Sequence, residues 1–146
     1  MARTLKRSAI VPFTQEQMFD LVNDIESYPA FLPNCTNAQI LKQTQSMIEA
    51  ELTLSKAGLE YQFSTRNSLE RPTKMGLTLL SGPFKTFDGV WSFTPLSQGT
   101  EVQFTLTFEF SNFLLNMTAS KWMEEQASEQ VDVICQRAHQ IYGGAQ

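Results

Sequence analysis

Residues 111–144 read SNFLLNMTASKWMEEQASEQVDVICQRAHQIYGG, and this stretch decides the fold. Apolar side chains recur in it at intervals of three and four, which is the spacing of one stripe along an α-helix. The members of that stripe are Leu115, Ala119, Trp122, Met123, Ala127, Val131, Ile134, Ala138 and Ile141. Ser111 or Asn112 is suited to cap the start, and the glycine pair at 143–144 is suited to the stop. We therefore expect one helix over Phe113–Tyr142, about 45 Å long.

A helix of this length needs a sheet to cover its apolar stripe, and the middle of the chain supplies strands with a period of two. The clearest is the last, in which apolar side chains alternate with Glu, Gln and Thr, so that one face is covered and one is wet. Short turns join the strands, which makes neighbours antiparallel. The expected strands are Thr4–Val11, Ala38–Thr44, Ser46–Ser55, Leu59–Leu69, Lys74–Ser81, Phe84–Pro95 and Glu101–Phe110.

The first strand is followed by a short helix and a stiff segment. Thr14 and Gln17 form a capping-box pattern that opens a helix from about Gln15 to Asp24. The segment Tyr28–Cys35 contains two prolines and displays large apolar side chains, which indicates a loop that covers apolar surface. It is equally compatible with a gate over a pocket and with a fixed plug of the core.

The predicted fold is therefore α+β: a curved antiparallel sheet of about seven strands around a long C-terminal helix, with a short helix after the first strand. The 146 residues fit one domain over 1–146. A twisted sheet that curls around one helix leaves a gap where the curvature outruns the helix surface. That gap is the expected pocket, and Gly89, inside a strand pattern, predicts a bulge or a close approach.

Composition narrows the class of function. The chain carries a net charge of −4, which disfavours DNA and non-specific RNA binding, and its 11 Phe residues can line an apolar interior. No apolar run approaches the length of a membrane span, and the first residues lack a signal-peptide core. We expect a cytoplasmic protein, peripheral to the inner membrane at most and with only transient membrane contact. Cys35 and Cys135 are expected to be reduced.

Several motifs in order resemble those of the START-like, helix-grip proteins of the coenzyme Q-binding, polyketide cyclase-like group. They are Tyr28-Pro29-x-Phe31-Leu32-Pro33-x-Cys35, Gly82-Pro83-Phe84-Lys85, Gly89-x-Trp91-x-Phe93-x-Pro95-Leu96 and Phe108-Glu109-Phe110. The resemblance implies a START-like lipid-binding domain that binds ubiquinone and supports respiratory electron transport. For bacterial toxin–antitoxin members it also implies binding to the large ribosomal subunit, which blocks 70S association.

The aromatic and apolar side chains expected around the pocket are our candidate ligand-binding residues. A prenylated quinone suits them, because rings and flexible methionines line irregular apolar cavities with few polar demands. The candidates are Tyr28, Phe31, Leu32, Tyr61, Phe63, Leu79, Trp91, Phe93, Phe104, Phe108, Met117 and Trp122. Each residue taken alone is also compatible with plain core packing.

Catalysis has little support in the sequence. His139 is expected to be structural or at the surface, and the two cysteines lack metal spacing. A cyclase-type enzyme would need several polar side chains that converge in the pocket. Tyr28 and Tyr61 are the only obvious inward-facing candidates, which is weak support for such an activity. We expect no catalytic residue, no metal and no catalytic cofactor, with ubiquinone as a bound ligand.

RNA binding also finds little support. The two basic groups are Arg3, Lys6 and Arg7, and Arg66, Arg71 and Lys74. The polar face of the terminal helix is acidic, with Glu124, Glu125, Glu129 and Asp132, which argues against RNA or a bilayer on that face.

Overall fold

The structure, a computed structural model, describes residues 2–143 and contains seven strands and four α-helices over that range. The strands are β1 Arg3–Val11, β2 Cys35–Gln43, β3 Met47–Lys56, β4 Leu59–Glu70, β5 Lys74–Ser81, β6 Phe84–Leu96 and β7 Gly99–Phe110. The helices are α1 Gln15–Asn23, α2 Tyr28–Phe31, α3 Phe113–Thr118 and α4 Ser120–Tyr142, with a 3₁₀ turn at Ile25–Ser27.

The strands form one antiparallel sheet in the order β1-β7-β6-β5-β4-β3-β2. The predicted helix-grip fold is confirmed, and the predicted strand bounds lie within three residues of the observed ones. The largest difference is at β2, which begins at Cys35 rather than at Ala38. In β7 the side chains alternate between buried and half-buried from Thr100 to Phe110, as the sequence pattern requires.

Helix α1 begins at the predicted capping box. The backbone N–H of Gln17 donates to the Thr14 hydroxyl over 3.1 Å, and the backbone N–H of Thr14 donates to the Gln17 side chain over 3.0 Å. The helix then buries Met18, Phe19 and Val22 against the sheet. Its observed end at Asn23 is one residue before the predicted end at Asp24.

The segment after α1 is more regular than the expected loop. Ile25–Ser27 forms a 3₁₀ turn, and Tyr28–Phe31 forms a single helical turn. Pro29 does not prevent this, because a proline in the first helical turn loses no intrahelical hydrogen bond. The prediction of an irregular loop from Tyr28 onward is therefore wrong for its first half.

The prediction of one continuous helix over Phe113–Tyr142 is also wrong, since the helix is interrupted at Ala119. Asn116 exchanges two hydrogen bonds of 2.9 Å with the backbone of Phe110 at the end of β7. The hydroxyl of Thr118 donates to the Leu114 carbonyl over 2.8 Å. Polar side chains that bond to backbone in this way compete with a regular helix.

The helical region begins and ends at residues close to those predicted. Asn112, not Ser111, caps the start, accepting from the backbone N–H groups of Leu114 and Leu115. Gly143 ends α4 in right-handed geometry rather than the left-handed one expected, and Gly144 lies outside the described residues. With 23 residues, α4 is about 35 Å long.

Helix α4 packs on one side of the sheet rather than across its middle. Its contacts with the sheet are chiefly with β1 and β7. Two exposed ion pairs reinforce this side: Arg3 with Glu124 at 3.0 Å and Arg7 with Asp132 at 2.7 Å. Part of the expected acidic face is thus neutralised by β1, and the inner faces of the middle strands are left for a cavity.

Candidate functional site

A cavity lies between the inner faces of the middle strands, the first half of α4 and the segment that contains α2. It holds about 710 Å³ of space not filled by atoms, part of it open to solvent. The enclosed volume is only about 60 Å³, so the cavity is a narrow slot. A flat ring or a thin chain fits such a slot better than a bulky group.

The walls of the slot are mostly apolar and carry a few uncharged polar side chains. They are formed by Ile25, Tyr28, Leu32, Ala50, Leu52, Leu54, Phe63, Thr65, Asn67, Met75, Leu77, Phe87, Trp91, Phe104, Leu106, Met123, Gln126, Ala127 and Gln130. No Asp, Glu, Lys, Arg or His lies among these lining residues of the described chain. Contact with an apolar ligand would therefore need no charge to be desolvated.

Gly89 of strand β6 lies against two of the side chains that line the slot. The inner face of β6 presents Phe87, Gly89 and Trp91 in succession, so a side chain is missing between two large rings. A Cβ atom at Gly89 would lie 3.2 Å from the Leu77 side chain and 3.3 Å from the Phe104 ring. The glycine is therefore a close approach rather than a bulge, and the nearest register shift of this strand lies between Phe84 and Thr86.

Trp91 forms the largest rigid part of the sheet wall. Its ring stacks on Phe104 with a centroid distance of 4.5 Å and an interplanar angle of 22°. Only 1% of the residue is exposed, so its rotamer is fixed by packing. A flat aromatic surface is thus held in place within the slot.

The opposite wall is the segment that starts with α2, and it is fixed to α4. The Gln126 amide donates to the Pro33 carbonyl over 2.7 Å and accepts from the Asn34 amide over 3.0 Å. The Tyr28 hydroxyl donates to the Val22 carbonyl. Arg137 lies 5.0 Å from the centroid of the Phe31 ring, a cation–π contact on the outer side. This segment is a fastened wall of the cavity, and whether it opens as a gate stays a prediction.

The structure brings five of the twelve candidate residues together around the slot. These are Tyr28, Leu32, Phe63, Trp91 and Phe104. Tyr61 and Phe108 belong to an aromatic cluster with Phe84 and Phe110 beside it. Phe93 packs edge-on against Phe19 of α1 at 5.7 Å.

The remaining candidates lie away from the lining. Leu79 and Trp122 are half-buried, and Trp122 packs on Tyr61 with a centroid distance of 5.3 Å. Phe31 lies under Arg137. The expected interior position of Met117 is wrong: its residue is 69% exposed, because the break at Ala119 separates α3 from the stripe of α4.

Sequence reasoning missed the polar residues of the slot. Thr65 and Asn67 follow Tyr61 and Phe63 at every second position of β4, so their side chains lie on the same inner face, and both residues are buried. The period of two that placed Phe63 inside would have placed them inside as well. Gln126 is 5% exposed although its side chain is polar, and only its position beside Ala127 and Met123 of the apolar stripe hinted at this burial.

Among the described residues around the slot, we find no arrangement typical of a nucleophile or a metal site. No group of three His, Cys, Asp or Glu side chains suited to a metal occurs within residues 2–143. His139 is exposed in the last turns of α4, where its ring packs on Phe13 at 4.9 Å. Burial raises the pKa of Cys35 and of Cys135 to about 11, whereas a nucleophilic thiol needs a lowered pKa.

Both thiols are therefore expected to react slowly in the folded protein. A rise of the pKa from 9.0 to about 11 lowers the thiolate fraction at pH 8 by roughly a hundredfold. Alkylation with iodoacetamide at pH 8, followed by intact-mass measurement, should be slow in buffer and fast in denaturant. Rapid modification of either cysteine without denaturant would contradict this account.

The chain matches a family model described as polyketide cyclase/dehydrase and lipid transport over residues 11–134. It is 42% identical over 139 residues to the ribosome association toxin RatA of Escherichia coli K12, covering 94% of this chain and 88% of that protein. A mitochondrial coenzyme Q-binding protein COQ10 homolog B of Xenopus laevis is 26% identical, covering 93% of this chain and 58% of its own length.

Solved structures share the fold at lower identity. A Thermus thermophilus protein has a TM-score of 0.86 at 18% identity, covering 96% of this chain and 99% of its own. A Mycobacterium smegmatis START superfamily protein has a TM-score of 0.76 at 19% identity, with coverages of 94% and 98%. A Streptomyces aromatase/cyclase has a TM-score of 0.78 at 16% identity, with 99% of each chain covered. Because the family model spans residues 11–134, which is most of the sequence, the chain belongs to the polyketide cyclase/dehydrase and lipid transport family.

Proposed function

We propose that the protein binds a hydrophobic isoprenoid in the slot between the sheet and α4, and that this ligand is ubiquinone. The narrow apolar cavity around Trp91 and Phe104 carries the proposal. A benzoquinone ring is flat and apolar on both faces, as the slot requires, and a prenyl chain is thin. Similarity to a protein named as coenzyme Q-binding supports the choice of quinone. The role would be to support respiratory electron transport.

We infer that the ligand is held without chemical change. General acid–base catalysis needs a group whose pKa lies near the working pH. Tyr28 is the one phenol among the lining residues of the described chain, its hydroxyl is already bonded to Val22, and burial raises its pKa further above 10. A cyclase-type activity would predict turnover that depends on Tyr61 or His139.

The experiment is identification of the co-purified ligand. The protein is purified without detergent, extracted with organic solvent and examined by mass spectrometry, and its melting temperature is measured with and without a short-chain quinone. We expect a quinone in the extract and a rise in melting temperature. An empty extract together with an unchanged melting temperature would refute ubiquinone binding.

A second candidate function is binding to the large ribosomal subunit, which would block formation of 70S ribosomes. The identity of 42% to a protein named ribosome association toxin favours it. The basic side chains give it little electrostatic support, since Arg3, Arg7, Arg66, Arg71 and Lys74 each pair with a carboxylate. Sucrose gradients with added protein test it, and unchanged 70S content without co-sedimentation would dismiss it.

Exchange of a membrane-dissolved quinone calls for transient contact with a bilayer, and we propose α3 as the contact. Phe113, Leu114 and Met117 are 78%, 66% and 69% exposed, and no charged residue occurs between Glu109 and Lys121. Helix α3 directly precedes the turn of α4 that carries the lining residue Met123. Within residues 2–143, no helix combines the length and apolar character that a membrane span requires.

The α3 contact predicts a specific loss of vesicle binding. Replacing Phe113, Leu114 and Met117 together with serine should weaken partition into phosphatidylethanolamine–phosphatidylglycerol vesicles at least about tenfold. The reason is that binding would no longer transfer three apolar side chains from water into the bilayer. Serine at Ile10 and Leu41, which are exposed on β1 and β2, is the matched control. Equal flotation of the two variants with the vesicles would exclude α3 as the contact.

A further inference from the structure

Two buried polar side chains line the otherwise apolar part of the slot formed by β4, where apolar side chains would pack at least as well. Thr65 and Asn67 lie on the inner face of β4, and they are 8% and 4% exposed. In the sheet register, Asn67 lies between Ile48 of β3 and Leu77 of β5. Polar groups among such neighbours cost free energy unless hydrogen bonds satisfy them.

The hydrogen bonds of this pair are only partly satisfied within the protein. The Thr65 hydroxyl donates to Oδ1 of Asn67 over 2.7 Å. A side-chain amide also carries two N–H donors on its nitrogen. Among the described residues, Nδ2 of Asn67 has no hydrogen-bond partner, and the residue lines the slot. The Thr65 hydroxyl thus fixes the amide, and its two donors are available to whatever fills the slot.

The two N–H donors of Asn67 favour one kind of ligand atom. An N–H donor in an apolar cavity binds most favourably to an acceptor oxygen that arrives on an otherwise apolar molecule. A carbonyl oxygen on a flat ring or chain meets that requirement. A plain hydrocarbon of the same shape would cover the donors and leave them without any partner.

We infer that Asn67, oriented by Thr65, is the anchor for a carbonyl oxygen of the ligand, so that the slot selects carbonyl-bearing apolar molecules over hydrocarbons. This inference rests on the proposed binding of an apolar ligand in the slot and specifies its head group. It also places the head group beside β4, opposite α2 and the first half of α4, since Thr65 and Asn67 share the slot with Tyr28 and Gln126.

The test compares two probes that differ in the carbonyl groups. Dissociation constants are measured for a decyl-substituted benzoquinone and for decylbenzene with the wild-type protein and with Asn67→Leu. We expect the wild type to prefer the quinone about 3–10-fold and the variant to lose that preference. Asn37→Leu makes the same substitution at an exposed position of β2 and should keep it. An unchanged preference in Asn67→Leu overturns the inference while binding in the slot stands.

Two further results keep the test decisive. Thr65→Val removes the hydroxyl that orients the amide, so it should lower the preference as well, though less. The melting temperature of ligand-free Asn67→Leu should fall only slightly, because leucine removes amide donors that have no partner among the described residues but also removes the acceptor of the Thr65 hydroxyl. A large fall would mean that Asn67 stabilises the fold rather than awaits a ligand, and it would overturn the inference. If the wild type binds neither probe, the proposed function itself fails.

Discussion

Replacing Trp91 with alanine is expected to lower the free energy of unfolding by about 3–5 kcal/mol. The indole is fully buried, stacks on Phe104 and runs parallel to Phe93 at 6.4 Å, so its loss leaves a void that rigid rings on two sides cannot close. The void would also merge with the existing slot. Urea denaturation followed by circular dichroism at 222 nm measures the change.

Trp122→Ala is the matched control, since the chain contains two tryptophans. Trp122 is half-buried and has Tyr61 as its aromatic partner, so its replacement should cost about 1–2 kcal/mol. Equal costs for the two variants would mean that Trp91 is not the rigid centre of the sheet wall.

Filling the slot from α4 is expected to abolish ligand binding. Ala127 is 4% exposed and lines the cavity, so a phenylalanine ring at this position would occupy the space that a quinone ring needs. Affinity for a short-chain quinone should fall at least about tenfold. The ring enters existing space, so the loss of stability should stay below about 3 kcal/mol. Isothermal titration calorimetry measures the affinity.

Ala30→Phe provides the same change on the exposed side of α2 and should leave the affinity at the wild-type level. Should Ala127→Phe bind the quinone as well as Ala30→Phe does, the ligand does not occupy the slot between α4 and the sheet.

The period of two was enough to predict the sheet. In β7, every second side chain from Val102 to Phe110 is apolar, and these side chains are the buried ones. The capping box at Thr14 and Gln17 marked the start of α1 for a similar reason, because both of its hydrogen bonds are local in sequence. A pattern whose interacting residues lie close together in the chain can be recognised from the amino-acid sequence alone.

The interrupted helix could not be predicted from its apolar stripe. The stripe continues through Ala119, but Asn116 bonds to Phe110 across a turn, and this contact depends on where β7 ends. The cluster of Asn116, Thr118 and Ser120 was the available hint, since such side chains compete with helical hydrogen bonds. Met117 was misplaced as a result.

The candidate site was harder to predict than the fold, because facing the interior is not the same as facing the cavity. Phe93 and Phe104 both lie on the inner face of the sheet, yet α1 covers Phe93 and the slot reaches Phe104. Which rings are covered depends on the tilt of α4 toward β1 and β7, a tertiary property without a local signal. The alternation along β4 was enough to place Thr65 and Asn67 on the inner face. Polar residues in a strand are usually assigned to the solvent-exposed face, however, so the sequence did not draw attention to them.

The most direct test of ligand binding in the slot uses Trp91 as the reporter. In Trp122→Phe, Trp91 is the single remaining tryptophan, and it lines the cavity. Titration with a decyl-substituted benzoquinone should quench its fluorescence in a saturable curve with one site per chain, and adding Ala127→Phe should remove the saturable part. Linear quenching that does not saturate and is equal with and without Ala127→Phe would contradict the account.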